Sequence, residues 1–240
     1  MVSFDKSYIA GLYDGDGSIN MSKVGPEGQQ GYLMKVELSQ NNEDLLTKIN
    51  SFFNDKGKIY EDKRHDKYTN STNYCLRFCG KDAFDILSII KEFGVIKSPQ
   101  AELALRCIEL NKKNVSVEKE ELMNQIKSMN RDKTVYEKPY QSINNAYISG
   151  LFDAEGNIYF TTNKVGKKKS YIKITQTGCP EILNKIASYL GYGSTADVGR
   201  WTIYSKEHYN HFYNCIKDTN IMKIKKTKKL LEFILIQKSV

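Results

Sequence analysis

Apolar and polar positions change period in the same order twice along this chain. Residues 5–16 carry apolar side chains at helical spacing, with Asp5 or Ser7 as N-cap and Gly17 predicted to stop the helix in a left-handed turn. Asn144 and Gly156 bracket a second helix in the same way. After each helix the period becomes two. Ile19 and Met21 alternate with Ser18, Asn20 and Ser22, and Ile158, Phe160 and Thr162 alternate with Asn157, Tyr159, Thr161 and Asn163. Further strands are predicted over 33–39, 74–78, 171–175 and 200–204. Amphipathic helices are predicted over 43–53, 81–93 and 99–110, then over 181–190, 206–217 and 226–236. Each half reads helix, two strands, helix, two strands, helix, an α+β unit of αββαββα type. Residues 1–110 form the first unit and 144–240 the second. Residues 111–143 have no counterpart and are expected to be a linker containing a helix over 118–129.

The two leading helices share wording as well as pattern. Tyr8-Ile9-Ala10-Gly11-Leu12-Tyr13-Asp14-Gly15-Asp16-Gly17-Ser18-Ile19 returns as Tyr147-Ile148-Ser149-Gly150-Leu151-Phe152-Asp153-Ala154-Glu155-Gly156-Asn157-Ile158. Every change between the copies keeps size or charge, so one structural unit with one acidic task is used twice.

Composition narrows the partner. Thirty-six Lys and Arg against 28 Asp and Glu give a formal charge of +8, with lysines clustered at Lys164, Lys167 to Lys169 and Lys173 and again between Lys223 and Lys229. A polyanion suits that surface. The longest apolar runs are too short and too interrupted to cross a bilayer, and the N-terminus lacks the order of a signal peptide. Five scattered cysteines without a Cys-x-x-Cys pair argue against disulfides and a zinc knuckle, and fit a reducing, intracellular compartment. His208, His211 and Cys215 share a helical face, but such a trio is more often plain surface than a metal site.

The chemistry lies in the repeated helix. Gly11 and Gly15, like Gly150 and Ala154, stand four residues apart, with Ala10 and Ser149 beside them. Each helix therefore has a stripe almost without side chains, at a cost of about 1 kcal/mol per mid-helix glycine. Two such stripes allow the helices to pack against each other. If they cross near their C-terminal ends, Asp16 and Glu155 arrive side by side, where both helix dipoles are also negative. Carboxylates about 5 Å apart repel by about 3 kcal/mol at an effective dielectric of 20. A cation must offset this, and an all-oxygen pair suits Mg²⁺, with Mn²⁺ as a substitute, rather than zinc. Asp14 and Asp153, two residues earlier, point elsewhere and are expected to hold backbone or a basic side chain.

These residues resemble the signature helices of the LAGLIDADG homing endonucleases of single-chain, two-motif type, and the likeness runs across nearly the whole chain outside the linker. The resemblance implies a saddle of antiparallel sheet astride duplex DNA, a monomer, and a reaction that cuts both strands by hydrolysis at a long, loosely palindromic target, leaving 3′ overhangs. It assigns metal binding to Asp16 and Glu155 with the carbonyls of Gly15 and Ala154. It assigns polar supporting roles to Gln40 and Gln176, which end matching strands and share parity with the strands' apolar faces, and basic roles to Lys97 and Lys225 before each half's final helix. The outward polar faces then supply DNA contacts from Ser18, Asn20, Ser22, Lys35, Glu37, Arg77, Tyr159, Thr161, Asn163, Lys173, Arg200, Thr202 and Tyr204. Relatives of this fold also include intron RNA-binding splicing maturases and non-cleaving DNA-binding regulators, so intron RNA is a second partner to consider.

Overall fold

The computed structural model describes residues 4–26, 31–62, 72–110, 116–132, 142–162, 168–196, 199–219 and 221–236. The first half runs α1 (Lys6–Asp16), β1 (Gly17–Val24), β2 (Gly31–Gln40), α2 (Glu43–Phe52), β3 (Lys58–Asp62), β4 (Asn73–Cys79), a 3-10 turn (Gly80–Ala83), α3 (Phe84–Phe93) and α4 (Ser98–Leu110). After α5 (Ser116–Asp132), the second half runs α6 (Asn145–Glu155), β5 (Gly156–Thr162), β6 (Lys168–Thr175), α7 (Glu181–Leu190), β7 (Ser194–Ala196), β8 (Arg200–Ile203), α8 (Lys206–Ile216) and α9 (Ile224–Ile236). The two halves thus contain the αββαββα order, each with one more helix after it. Strands β3 and β7 are short and carry little alternation, so the sequence pattern locates them poorly.

The alternation becomes two antiparallel sheets of four strands, ordered β1-β2-β4-β3 and β5-β6-β8-β7. Because paired residues share a face, the register sorts core from surface. Ile19, Val36 and Phe78 align across the first sheet, as do Ile158, Ile172 and Ile203 across the second, and all are buried. The opposite faces carry Ser18, Glu37 and Arg77 in one row and Asn157, Lys173 and Thr202 in its counterpart. Each buried face is covered by helices. In the second half Trp201 is fully buried, and its indole N–H donates to the carbonyl of Tyr192 at 3.2 Å, so the ring is enclosed without an orphaned donor.

The halves are also stitched together. Val95, from the loop after α3, belongs to the second core, with Ile96 packed against it, while Ile221 and Met222, from the loop before α9, pack against the first. Each lobe therefore inserts one loop into the other. Helix α5 is more than a tether: Leu122, Met123 and Ile126 are buried in the first core, so the helix lies on α4 and on the edge strand β1. No helix among the described residues is long and apolar enough to cross a membrane.

Candidate active site

Helices α1 and α6 meet along their small-residue stripes. Asp5 accepts a hydrogen bond from the Ser7 amide at 2.8 Å and Asn144 one from the Tyr147 amide at 2.8 Å, so both helices begin at matching caps. A Cβ on Gly11 would lie 2.1 Å from the carbonyl oxygen of Tyr147, and one on Gly150 would lie 2.0 Å from that of Tyr8. At the C-terminal ends, a Cβ on Gly15 would lie 2.3 Å from Ala154 Cβ and 3.1 Å from Glu155 Cγ. Gly17 and Gly156 do not end these helices in the left-handed turn expected of them. Their φ angles are −82° and −81°, and the helices pass directly into extended strand. Glycine is needed there for room: a Cβ would meet Tyr13 or Phe152 of the same helix at 2.6 or 2.0 Å.

Asp14 and Asp153 are both buried and hold backbone. Asp14 accepts from the amides of Val95, Ile96 and Lys97 at 2.7 to 2.9 Å, and Asp153 from those of Ile221, Met222 and Lys223 at 2.9 to 3.1 Å. Each also takes a hydroxyl from the other motif. Tyr147 donates to Asp14 at 2.7 Å and Tyr8 to Asp153 at 2.8 Å. Burial and the facing carboxylate push both phenols far above their ordinary range, so they remain donors at every accessible pH.

This clamp decides which lysines reach the site. The loop on Asp14 ends at Lys97, whose Nζ donates to the carbonyl of Asp14 at 2.6 Å. The loop on Asp153 ends at Lys223, whose Nζ donates to the carbonyls of Phe152, Asp153 and Ala154 at 2.8, 2.6 and 3.3 Å. Lys223, not Lys225, is therefore the partner of Lys97. Lys225 lies on α9 and is exposed. Matching Lys97 to Lys225 shifts the halves by two residues. The better signal was two adjacent apolar residues before the lysine, Val95-Ile96 against Ile221-Met222.

Lys223 lies within electrostatic reach of both acids. Its ammonium interacts electrostatically with Asp16 and with Glu155, as well as with Asp153. Burial nonetheless dominates and lowers it to about 8. Asp16 is shifted upward by burial, against the opposing influence of the Gln40 hydrogen bond and of Lys223 and Lys97. Gln40 is buried and donates its side-chain N–H to Asp16, as its strand parity predicted. Gln176 lies just past β6, where its side-chain Oε1 accepts from the Gly178 amide at 3.1 Å. With Glu155, Lys97 and Gly15, it lines a cavity of about 220 Å³ that also receives Gln100 of α4 and Asn130 of α5.

The donor set fits a hard divalent cation: the half-buried carboxylates of Asp16, whose charge burial disfavours, and Glu155, with helix-end carbonyls at Gly15 and Ala154. No cluster of three or more His, Cys, Asp and Glu suited to a metal occurs among the described residues, so a cation at this site would rest on two carboxylates completed by backbone carbonyls, water and phosphate. His208 instead stacks on Tyr192 at 4.5 Å.

The expected DNA contacts fall mostly on the outer sheet faces. Ser18, Asn20, Ser22, Lys35, Glu37 and Arg77 are half-buried there, and Glu37 accepts from Arg77 at 2.5 Å, so each restrains the other. In the second half, Tyr159 stacks on Tyr171 at 4.6 Å and Lys173 lies over the Tyr159 ring at 4.9 Å. Tyr204 is 68% exposed, and Arg200 is exposed as well. Thr202 is on the outer face but buried between β6 and β7, which removes it from the readers. The backbone of Thr161 belongs to β5, and Asn163 lies outside the described residues.

Fold and site define a protein of two like halves, each led by a helix that ends in one acid. Residues 9–98 match the LAGLIDADG endonuclease family model. The whole chain takes the fold of solved LAGLIDADG homing endonucleases. It resembles the LAGLIDADG homing endonuclease I-GzeII in complex with its DNA target, with a TM-score of 0.75 and 16% identity over 99% of this chain and 93% of that one. It resembles I-SmaMI bound to uncleaved DNA in the presence of calcium ions with a TM-score of 0.74 and 16% identity, covering 99% and 92%. For I-AabMI bound to uncleaved DNA the values are 0.72 and 15%, covering 98% and 92%. Comparison with curated protein sequences gives no match.

Proposed function

We propose that the protein is a magnesium-dependent endonuclease that cuts both strands of a long, loosely palindromic DNA duplex and leaves 3′ overhangs. The observation that carries this reading is the meeting of the two helix ends, where a Cβ on Gly15 would lie 3.1 Å from Glu155 Cγ, so that Asp16 from one half and Glu155 from the other adjoin. One acid per half at a common seam suits a reaction performed once on each strand. Asp16 and Glu155, with the carbonyls of Gly15 and Ala154, would hold Mg²⁺ or Mn²⁺. Such an ion supplies a water acidic enough to attack phosphorus at neutral pH and offsets charge on the transition state. Gln40 orients the Asp16 carboxylate by donating to it. Lys97 and Lys223 place positive charge beside the acids, where it can neutralise the phosphate as negative charge builds on its oxygens.

Duplex DNA is the partner the surface supports. The formal charge of +8 favours a polyanion, and the half-buried polar rows on the outer strands offer donors and acceptors of the kind that read major-groove edges. The two halves differ strongly in those rows, which is why the target is expected to be only loosely palindromic. The solved relatives in complex with DNA targets support the same partner.

The test is cleavage of a randomised duplex library with Mg²⁺. Defined double-strand breaks, abolished by Asp16→Asn or Glu155→Gln while binding persists, are expected. Tight binding of intron RNA without any DNA break would replace this reading with a splicing maturase, and binding without cleavage by the unaltered protein would make it a regulator. Light scattering is expected to give the mass of a monomer.

A further inference from the structure

Asn130 belongs to the segment between the halves, yet it touches the surface that faces a bound duplex. Its side-chain N–H₂ group donates to the carbonyl of Ile19 at 2.9 Å and to Oδ1 of Asn20 at 3.2 Å. Its own Oδ1 accepts from Gln100 at 3.2 Å, and Asn20 in turn donates from Nδ2 to Ser18 Oγ at 3.1 Å. Four polar side chains thus form one directed chain from α4 through α5 to the outer face of β1. Its first two members, Gln100 and Asn130, also line the cavity beside Glu155 and Lys97.

The direction of this chain follows from one atom. A main-chain carbonyl only accepts, so the group that Asn130 turns toward Ile19 must be its N–H₂. That same group faces Asn20, so the Asn20 atom beside it must be the amide oxygen, and the Asn20 nitrogen is left toward Ser18. The amide of Asn20, which solvent would allow to flip freely, is held in a single orientation.

What remains open on Asn20 is then countable. Its oxygen has two lone pairs, of which Asn130 uses one, and its nitrogen has two hydrogens, of which Ser18 uses one. One acceptor and one donor are left on the same amide. Adenine presents the complement in the major groove, a donor at N6 and an acceptor at N7. Guanine presents two acceptors and would set its O6 against the amide oxygen. From this geometry we infer that α5 is a specificity element: Asn130 positions Asn20 to read an adenine in the half-site under the first sheet. This inference rests on the duplex-binding reading above.

The second half differs at the matching position. There Asn20 is replaced by Tyr159, whose ring stacks on Tyr171 and lies under the Lys173 ammonium. The linker helix thereby makes the two half-sites unequal in how they are read.

The experiment has two arms. In the DNA-free protein, the side-chain amide protons of Asn20 are followed by NMR in wild type and in Asn130→Ala. Slow exchange and a distinct shift in wild type, both lost in the variant, are expected, and an unchanged Asn20 signal would overturn the relay. With the selected target, cleavage of every single-base-pair variant is compared for wild type, Asn20→Ala and Asn130→Ala. Wild type should prefer adenine at one position by roughly 5- to 150-fold, the range of a bidentate amide contact. Both variants should flatten the preference at that position and leave the others unchanged. A general loss of folding would lower cleavage of all variants together and keep the ratios. A retained preference in Asn130→Ala, effects of the two variants at different positions, or a preferred base other than adenine would overturn the inference. Failure to bind any duplex would sink the nuclease reading and the adenine assignment together, while the first arm still decides the relay by itself.

Discussion

Tyr147 of α6 donates its hydroxyl to Asp14 of α1 at 2.7 Å, inside a helix interface where both side chains are buried. The mirror contact, Tyr8 to Asp153 at 2.8 Å, makes the motif helices reciprocal hydrogen-bond partners as well as packing partners. A hydrogen bond to a charged group is worth about 1.5–3 kcal/mol. Tyr147→Phe and Tyr8→Phe are each expected to lower the urea-unfolding free energy by about that amount. Asp14→Ala should cost more than either, because it strands the amides of Val95, Ile96 and Lys97 as well.

Close approach of the helices gives a second expectation. With a Cβ on Gly11 only 2.1 Å from the carbonyl oxygen of Tyr147, Gly11→Ala must push α1 and α6 apart. Overpacking costs about 1–3 kcal/mol or more. Cleavage is expected to fall further than stability does, since Asp16 and Glu155 lie at the far end of the separated pair. Parallel measurement of thermal unfolding and single-turnover cleavage checks this, and equal loss in both would remove the geometric explanation.

The lysine assignment separates two neighbours. Lys223→Met should slow cleavage by about 10²–10³-fold, the usual effect of removing one preorganised charge-stabilising donor. Lys225→Met should stay within about twofold of wild type, because that side chain is exposed on α9. Comparable losses from both would return Lys225 to the site.

Lys223 also predicts a pH dependence of the metal-free protein. Its pKa is lowered by burial to about 8, below the ordinary lysine value of 10.5 that the unfolded chain retains. Below pH 8 it is charged in both states and its burial cost is fully present. Between pH 8 and 10.5 the unfolded chain binds the extra proton, so stability rises with pH across that window. The unfolding free energy of wild type minus that of Lys223→Met should increase from pH 8 toward pH 10. A flat difference would show that the ammonium is well solvated.

Much of this architecture was legible because it depends on local pattern. The motif helices, their Asp5 and Asn144 caps, the strands that follow them and the inward parity of Gln40 all rest on spacing along one element. Legibility ended where two distant segments had to be aligned. The sequence points to Lys225 rather than Lys223 because the loop before α9 matches the loop before α4 only through its amides on Asp153, a correspondence two residues away from the one the chain suggests. Thr202 had the correct parity for an outer residue, but its burial depends on the short neighbour β7, whose three residues carry no pattern. Asn130 lay in a segment that looked like a tether, and nothing in its own neighbourhood marks it as a partner of Asn20.

The sequence by itself determined a duplicated α+β unit with small-residue stripes and one terminal acid per copy, because helix period, strand alternation and the need for glycine at a close crossing are properties of adjacent residues. Only the tertiary structure decided which lysine meets those acids, which outer residues remain accessible, and how the linker helix holds Asn20. Those outcomes depend on backbone amides, carbonyls and buried side chains from segments up to 145 residues apart, as between Tyr8 and Asp153, and hydrogen-bond direction becomes defined only when the partners meet.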